Sequence, residues 1–197
     1  MYRKFIKRTL DVIISLLALP WVLLVIILSA PFIYFSDRGP IFYNAKRVGR
    51  NGKPFTMLKL RSMKVNSPDI RNADGSTYNA DDDPRVTKVG KFLRKTSLDE
   101  FPQFLNVLVG DMSLIGPRPN LVTVSFDQLS EPEQARLAVR PGITGYNQAY
   151  FRNSVETEEK YKNDIYYVEN LSFALDVKIL VQTVLSVVMR RNINHDQ

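Results

Sequence analysis

Apolar residues are distributed in two ways along this chain. From Val12 to Phe35 they run together for 24 residues without a charge, which as a helix is about 36 Å, enough to cross a hydrocarbon core of about 30 Å. Beyond Asp37 they come in short groups. "IFYNAKRVG" and "PFTMLKL", on either side of "RNGK", predict two short strands joined at Asn51 and Gly52, a dipeptide favoured in tight hairpins. Residues 66–84 are polar and rich in turn formers, which predicts a surface loop. "RVTKVGKFLRK" predicts a short basic helix. "DEFPQFLNVLVG" predicts a second, apolar at Phe101, Phe104, Leu105, Leu108 and Val109 and ending at Gly110. "GPRP" at 116–119 and "RPGITG" at 140–145 read as rigid turns around a charged helical stretch near "SEPEQARLAV". The chain then returns to helix, with Ser172 as a cap before "FALDVKILVQTVLSVVMRR". Asp176, Lys178, Gln182 and Thr183 make this last helix amphipathic rather than spanning, suited to the core or a membrane interface. The expected fold is mostly α with short β elements (α+β), with a membrane-associated segment over 1–36 and one compact domain over 37–197.

Charges bear on the topology of the apolar segment. Arg3, Lys4, Lys7 and Arg8 precede it, and Arg38, Lys46, Arg47, Arg50 and Lys53 come after it. Lys and Arg next to a span prefer the cytoplasmic side, so a straight crossing leaves one cluster on the wrong face. A re-entrant helix, broken at Pro20 and returning on the side it entered, satisfies both. Pro20 has no N–H for the Leu16 carbonyl, and its ring clashes with that carbonyl. Backbone groups freed in hydrocarbon need partners, however, and Pro kinks are common in spanning helices, so the sequence leaves both forms open. A cleaved signal peptide fits poorly, since its apolar core would be shorter and a cut after Ala30 would place Pro31 beside the bond.

Composition narrows the chemistry. The 197 residues include 27 Lys+Arg against 20 Asp+Glu, no cysteine and the single His195. Disulfide frameworks and cysteine or histidine-rich metal sites are therefore excluded. A net charge of +7 calls for an anionic partner: nucleic acid, a phosphorylated small molecule or acidic lipid. The apolar segment speaks against nucleic acid.

The candidate chemistry centres on Asp99 and Glu100 in "RKTSLDEFPQFLN". Their structural reading is a capping box, Ser97 with Glu100, or Asp99 as the cap with Pro102 in the first turn. Their functional reading is a carboxylate that holds a divalent cation bridging phosphate oxygens, or that acts as a nucleophile. The surrounding cations favour the second. Arg85, Lys88, Lys91, Arg94 and Lys95 lie upstream, Arg118 sits between two prolines, and Arg140 and Arg152 flank a glycine turn. An arginine in a proline-fixed turn loses less freedom on gripping phosphate bidentately.

"LKLRSM" at 58–63, "DPRVTKVGKFLRKTSLDEFPQFLNVLVGDMSLIGPRP" at 83–119, "VRPGITGYNQ" at 139–148 and "DIYYVENLSFALDVKILVQT" at 164–183 closely resemble the bacterial sugar transferases, or monotopic phosphoglycosyl transferases. The likeness runs over nearly the whole chain. It implies transfer of a sugar 1-phosphate from a UDP-sugar to polyprenyl (undecaprenyl) phosphate at the cytoplasmic face of a bacterial inner membrane, releasing UMP and initiating assembly of a glycan. By that resemblance Asp99 is the nucleophile of a covalent phosphosugar intermediate and a ligand of Mg2+, and Glu100 is its proton acceptor or orienting neighbour. Lys59, Arg94, Arg118 and Arg152 fall on basic positions used around phosphates, with Arg140 as a further candidate. The resemblance also favours the re-entrant helix. Leu19 stands where many relatives have serine before the proline, and Phe151 where many have glycine before the Arg-Asn pair. The rival reading is a non-catalytic, membrane-anchored protein that binds anionic lipid.

Overall fold

The computed structural model describes all residues except 71–77, 79–82, 123, 152–154 and 189–197. Helix dominates. Helix α1 (Lys7–Asp37) comes after a helical turn over Tyr2–Ile6 and leads into the antiparallel hairpin of β1 (Ala45–Val48) and β2 (Pro54–Met57). Asn51 and Gly52 lie in the connection, both at positive φ, as the Asn-Gly signal requires. Then come α2 (Lys88–Thr96), α3 (Gln103–Val109), β3 (Ser113–Ile115), α4 (Glu131–Arg136), β4 (Gly142–Thr144), α5 (Tyr146–Tyr150), α6 (Thr157–Glu169) and α7 (Phe173–Val188). Strands β3 and β4 pair in parallel, Ser113 with Gly142 and Ile115 with Thr144. The two turns expected at 116–119 and 140–145 thus contain or adjoin a sheet, which three-residue strands flanked by Gly and Pro do not announce. The approach is close: a Cβ on Gly142 would stand 2.1 Å from the Gly116 nitrogen.

The expected break at Pro20 is not an end of helix, because α1 is continuous with Pro20 and Pro31 inside it. A proline removes one backbone bond and leaves the neighbouring turns to carry the helix. What holds α1 is a stripe of buried residues, Asp11, Ser15, Val22 and Ile33. Asp11, Val22 and Ile33 are eleven apart, about three turns, and therefore share a face. Asp11 Oδ1 accepts the Leu114 N–H at 3.0 Å, and Ile33 packs with Leu60 and Leu93, joined by Val25 and Ile26. At the C-terminal end Arg61, buried, donates to the Ile33 carbonyl at 3.1 Å and pairs with Asp37 at 2.6 Å. Both ends of the helix are thereby fastened to the same body.

Helices α1 and α7 have inverted polarity. Asp11, Ser15, Asp176 and Ser186 are buried, whereas Leu17 (71 % exposed), Trp21 (65 %), Phe35 (76 %), Val181 and Val184 face outward. The inward Asp176 accepts hydrogen bonds from the Tyr2 hydroxyl, the Lys7 ammonium at 2.8 Å and the Tyr167 hydroxyl at 2.8 Å. This network ties the N-terminal residues to α6 and α7. The expected amphipathic character of α7 is present in part: Asp176 and Ser186 are buried and Gln182 and Thr183 half-buried, whereas Lys178 is exposed.

Leu93 is 1 % exposed and joins α2 to α1 through Ile33. Leu93→Ala is expected to cost about 2–5 kcal/mol, read as a fall in the unfolding midpoint in detergent; an unshifted midpoint would show that this cluster does not hold α1 to the domain.

Candidate active site

The dyad does not cap a helix. Ser97 has φ 56° and ends α2, its N–H bonded to the Arg94 and Leu93 carbonyls, and its side chain caps no backbone of the next turn. The Ser97–Glu100 box and the Asp99 cap expected from the sequence are therefore not formed. Asp99 and Glu100 occupy a single 3-10 turn, Leu98–Glu100, ahead of α3, and Pro102 leads into that helix. Both carboxylates are free of capping work.

Cations from three elements surround them. The segment after β2 supplies Lys59, because the Leu60 N–H donates to the Asp99 carbonyl at 2.9 Å and lays the two backbones side by side. Its Nζ stands 2.9 Å from Asp99 Oδ2 and donates to Glu100 Oε1 at 3.3 Å. Asp99 is 2 % exposed, and at its Oδ2 the Lys59 ammonium forms an ion pair with no hydrogen bond from the described residues beside it. The turn after β3 supplies Arg118, 60 % exposed between two buried prolines, its Nη2 3.6 Å from Glu100 Oε1. The last turn of α2 supplies Arg94, whose Nε donates to Ser62 Oγ at 2.9 Å and whose charge interacts with Asp99. Burial pushes the Glu100 carboxyl up, but the charges of Lys59 and Arg118 outweigh it and hold Glu100 below its ordinary value.

The structure thus gathers Lys59, Arg94, Asp99, Glu100 and Arg118. It places Arg140 elsewhere: its Nε donates to the Gly110 carbonyl at 2.8 Å, at the opposite end of α3 from the dyad. Arg152 lies outside the described residues. Arg85 clamps Asp83 and the carbonyls of Pro68 and Tyr78.

Three supporting residues escape a reading by charge. Asn106, on the buried side of α3 with Gln103 and Val107, accepts the Leu58 N–H and donates to the Thr56 carbonyl, fixing the strand end that carries Lys59. The expected apolar face of α3 is correspondingly displaced, and Val109 is 74 % exposed. Ser62 orients Arg94. Arg136, buried in α4, donates through Nη2 to the Arg118 carbonyl and pairs with Asp164 of α6. Nothing in the sequence marks Asn106 and Arg136, whose roles depend on burial inside their helices.

A buried carboxylate beside a second one, with three basic side chains around them, is a candidate active site of the kind that suits a charged substrate. The comparison with known proteins agrees in kind: the model of the bacterial sugar transferases matches residues 2–190, and the chain belongs to that family. It is 40 % identical over 191 residues to the galactosyl transferase CpsE of Streptococcus agalactiae (93 % of this chain, 42 % of CpsE). It is 39 % identical over 188 residues to the UDP-N-acetylgalactosamine-undecaprenyl-phosphate N-acetylgalactosaminephosphotransferase of Aeromonas hydrophila (93 % of this chain, 44 % of that protein). It is also 39 % identical over 188 residues to the uncharacterized sugar transferase EpsL of Bacillus subtilis (95 % and 90 %). The chain therefore spans less than half of the first two relatives and nearly all of the third.

Lys59→Met removes the main charge that opposes burial at Glu100. The carboxyl then titrates at higher pH, so the ionised form is lost sooner on acidification. Carboxyl 13C shifts of Glu100 followed against pH measure this directly, and an unmoved titration would contradict the assignment of Lys59 as the controlling cation.

Proposed function

We propose that this chain transfers a sugar 1-phosphate from a UDP-sugar to a polyprenyl phosphate, releasing UMP and leaving a polyprenyl diphosphate sugar. The observation that carries the reading is Asp99, buried and without a hydrogen bond at Oδ2, within a ring of cations. In this reading Asp99 attacks the phosphorus that bears the sugar. A carboxylate oxygen–phosphorus bond forms, the bond to the bridging oxygen breaks, and UMP leaves with that oxygen and its electron pair. An oxygen of the polyprenyl phosphate then displaces Asp99 from the same phosphorus. Two displacements replace one, and Asp99 is returned ionised. Lys59, Arg94 and Arg118 offset the diphosphate charge so that an anionic nucleophile can approach. Glu100, held ionised, orients Lys59 and Arg118.

Among the described residues no group of three His, Cys, Asp or Glu side chains could form an all-protein metal cage. The dyad nevertheless suits Mg2+, which is commonly bound by one or two carboxylates together with substrate phosphates. Asp99 would hold it, with Glu100 beside it. The ion would supply further charge neutralisation at the diphosphate.

The fastening of α1 bears on the membrane arrangement. Arg8 and Asp11 near one end, and Ile33 and Asp37 near the other, bond or pack to one domain. A straight bilayer crossing would carry one of these ends about 30 Å away. We read α1 as entering and leaving the membrane on one face, the cytoplasmic face, with its outward apolar surface in lipid.

Asp99→Asn keeps the shape and removes the nucleophile. It is expected to lower Mg2+-dependent UMP release from a UDP-sugar and polyprenyl phosphate by at least about 10³-fold; full turnover would sink the nucleophile assignment, and a wild-type protein that binds both compounds without releasing UMP would favour a binding role. Cysteines placed in turn at residues 3 and 197 should both resist a membrane-impermeant thiol reagent in intact cells and react after lysis. An N-terminus labelled from outside would refute the same-face arrangement.

A further inference from the structure

The Arg118 turn is held by a clamp that no cation count reveals, and we infer that Arg136, with Asp164 and Tyr161, is a positioning residue that sets where the Arg118 guanidinium stands. The inference rests on the reading of Arg118 given above. Pro117 and Pro119 narrow the backbone around Arg118 but do not fix where the turn sits on the domain. Arg136 does so: Nη2 donates to the Arg118 carbonyl at 2.6 Å, while the same guanidinium contacts Asp164 Oδ2 through Nε at 2.8 Å and Nη2 at 2.6 Å. Arg136 and Asp164 are each 3 % exposed. The guanidinium also lies over the Tyr161 ring, 5.2 Å from its centroid. The Tyr161 hydroxyl in turn accepts from Asn120 Nδ2 at 3.2 Å and donates to Glu133 Oε1 at 3.2 Å. Helices α4 and α6 therefore hold the turn at two points, one on each side of Pro119.

This arrangement has a chemical reason. A carbonyl needs only one donor, and an ammonium would satisfy it, but only a planar fork bonds a carboxylate and a carbonyl together in fixed directions. With Asp164 fixed on α6, the fork transfers that rigidity to the backbone of Arg118, whose side chain is itself mostly exposed. On an unanchored turn the Cα from which that side chain starts would itself move, and the guanidinium would meet the dyad only part of the time.

A double-mutant cycle with an independent structural readout tests the inference. Arg136→Lys keeps the buried charge opposite Asp164 and loses the fork. UMP release is expected to fall by about 10²-fold, as a misplaced group about 1 Å off can cost, while the same change in an Arg118→Ala background alters it by no more than about twofold. Amide exchange at Arg118, Asn120 and Leu121 should quicken in Arg136→Lys. Tyr161→Phe, which removes one hydroxyl, should give a smaller loss that likewise vanishes without Arg118, and it serves if the lysine variant does not fold. Equal losses with and without Arg118, or unchanged exchange across 118–121, would overturn the positioning role. If Arg118→Ala alone leaves turnover intact, the reading of Arg118 fails, and the exchange at 118–121 then decides whether the clamp exists.

Discussion

Two carboxylates adjacent in the chain, one of them buried, set the central constraint of this structure. Ionised side by side they repel, and a buried charge without compensation costs several kcal/mol. The fold answers with three cations, none of them a sequence neighbour of the dyad except Arg94, which is still five residues away. Each cation is delivered by a backbone fixed elsewhere. Lys59 arrives because Leu60 is bonded to Asp99 and Asn106 grips the strand end before it. Arg94 is steered by Ser62 from the same segment. Arg118 comes from a turn held by β3, β4 and Arg136. The short strands matter less as a sheet than as fixed ends from which these side chains start.

The inverted helices serve the same centre. A polar residue facing inward from an apolar helix requires a partner in the protein, and here those partners lie close to the site's supports. Asp11 accepts the N–H of Leu114 in β3, and the Tyr167 hydroxyl, whose one proton is shared between Asp176 and the Ile115 carbonyl, joins Asp176 to that strand. Of the inward polar groups of α1, Asp11 is paired with β3 whereas the Ser15 hydroxyl has no hydrogen-bond partner among the described residues, so the polar contribution to the register of α1 comes from Asp11. A slip of one residue would turn Asp11 away from β3.

What the sequence made legible was local. The Asn-Gly hairpin, the stop at Gly110 and the helices over 88–96, 157–169 and 173–188 come from turn chemistry and periodicity, and each is present. The S-x-x-E pattern shows where local reasoning ends. It occurs at Ser130 and at Ser97, and only Ser130 forms the box with Glu133; Ser97 is already committed to closing α2 in a left-handed conformation. The parallel pairing of β3 with β4 joins residues 29 apart through three-residue strands, too short for a period to register. Choosing arginines by their proline and glycine turns found Arg118, but it also selected Arg140, which caps a helix instead of facing the dyad. It passed over Arg136, because an arginine within a helix reads as solvated until its burial is known.

Helix α3 links these observations. Its seven residues span about 10 Å, with the dyad just before its first turn and its last carbonyls at the other end. Carbonyls at the end of a helix lack partners further along it, and the Gly110 N–H meets those of Asn106 and Val107. The Val107 and Leu108 carbonyls accept from Arg8 at 2.6 and 3.0 Å, and that of Gly110 from Arg140. Arg8 belongs to α1, so the helix that carries the apolar surface also caps the helix next to the dyad. Positive charge at that end suits the helix dipole as well as the carbonyls. The position of Asp99 relative to the apolar face of α1 is therefore held in part by this short helix, whose C-terminal carbonyls Arg8 of α1 bonds directly, alongside the contacts of Asp11, Ile33 and Asp37 with the same domain.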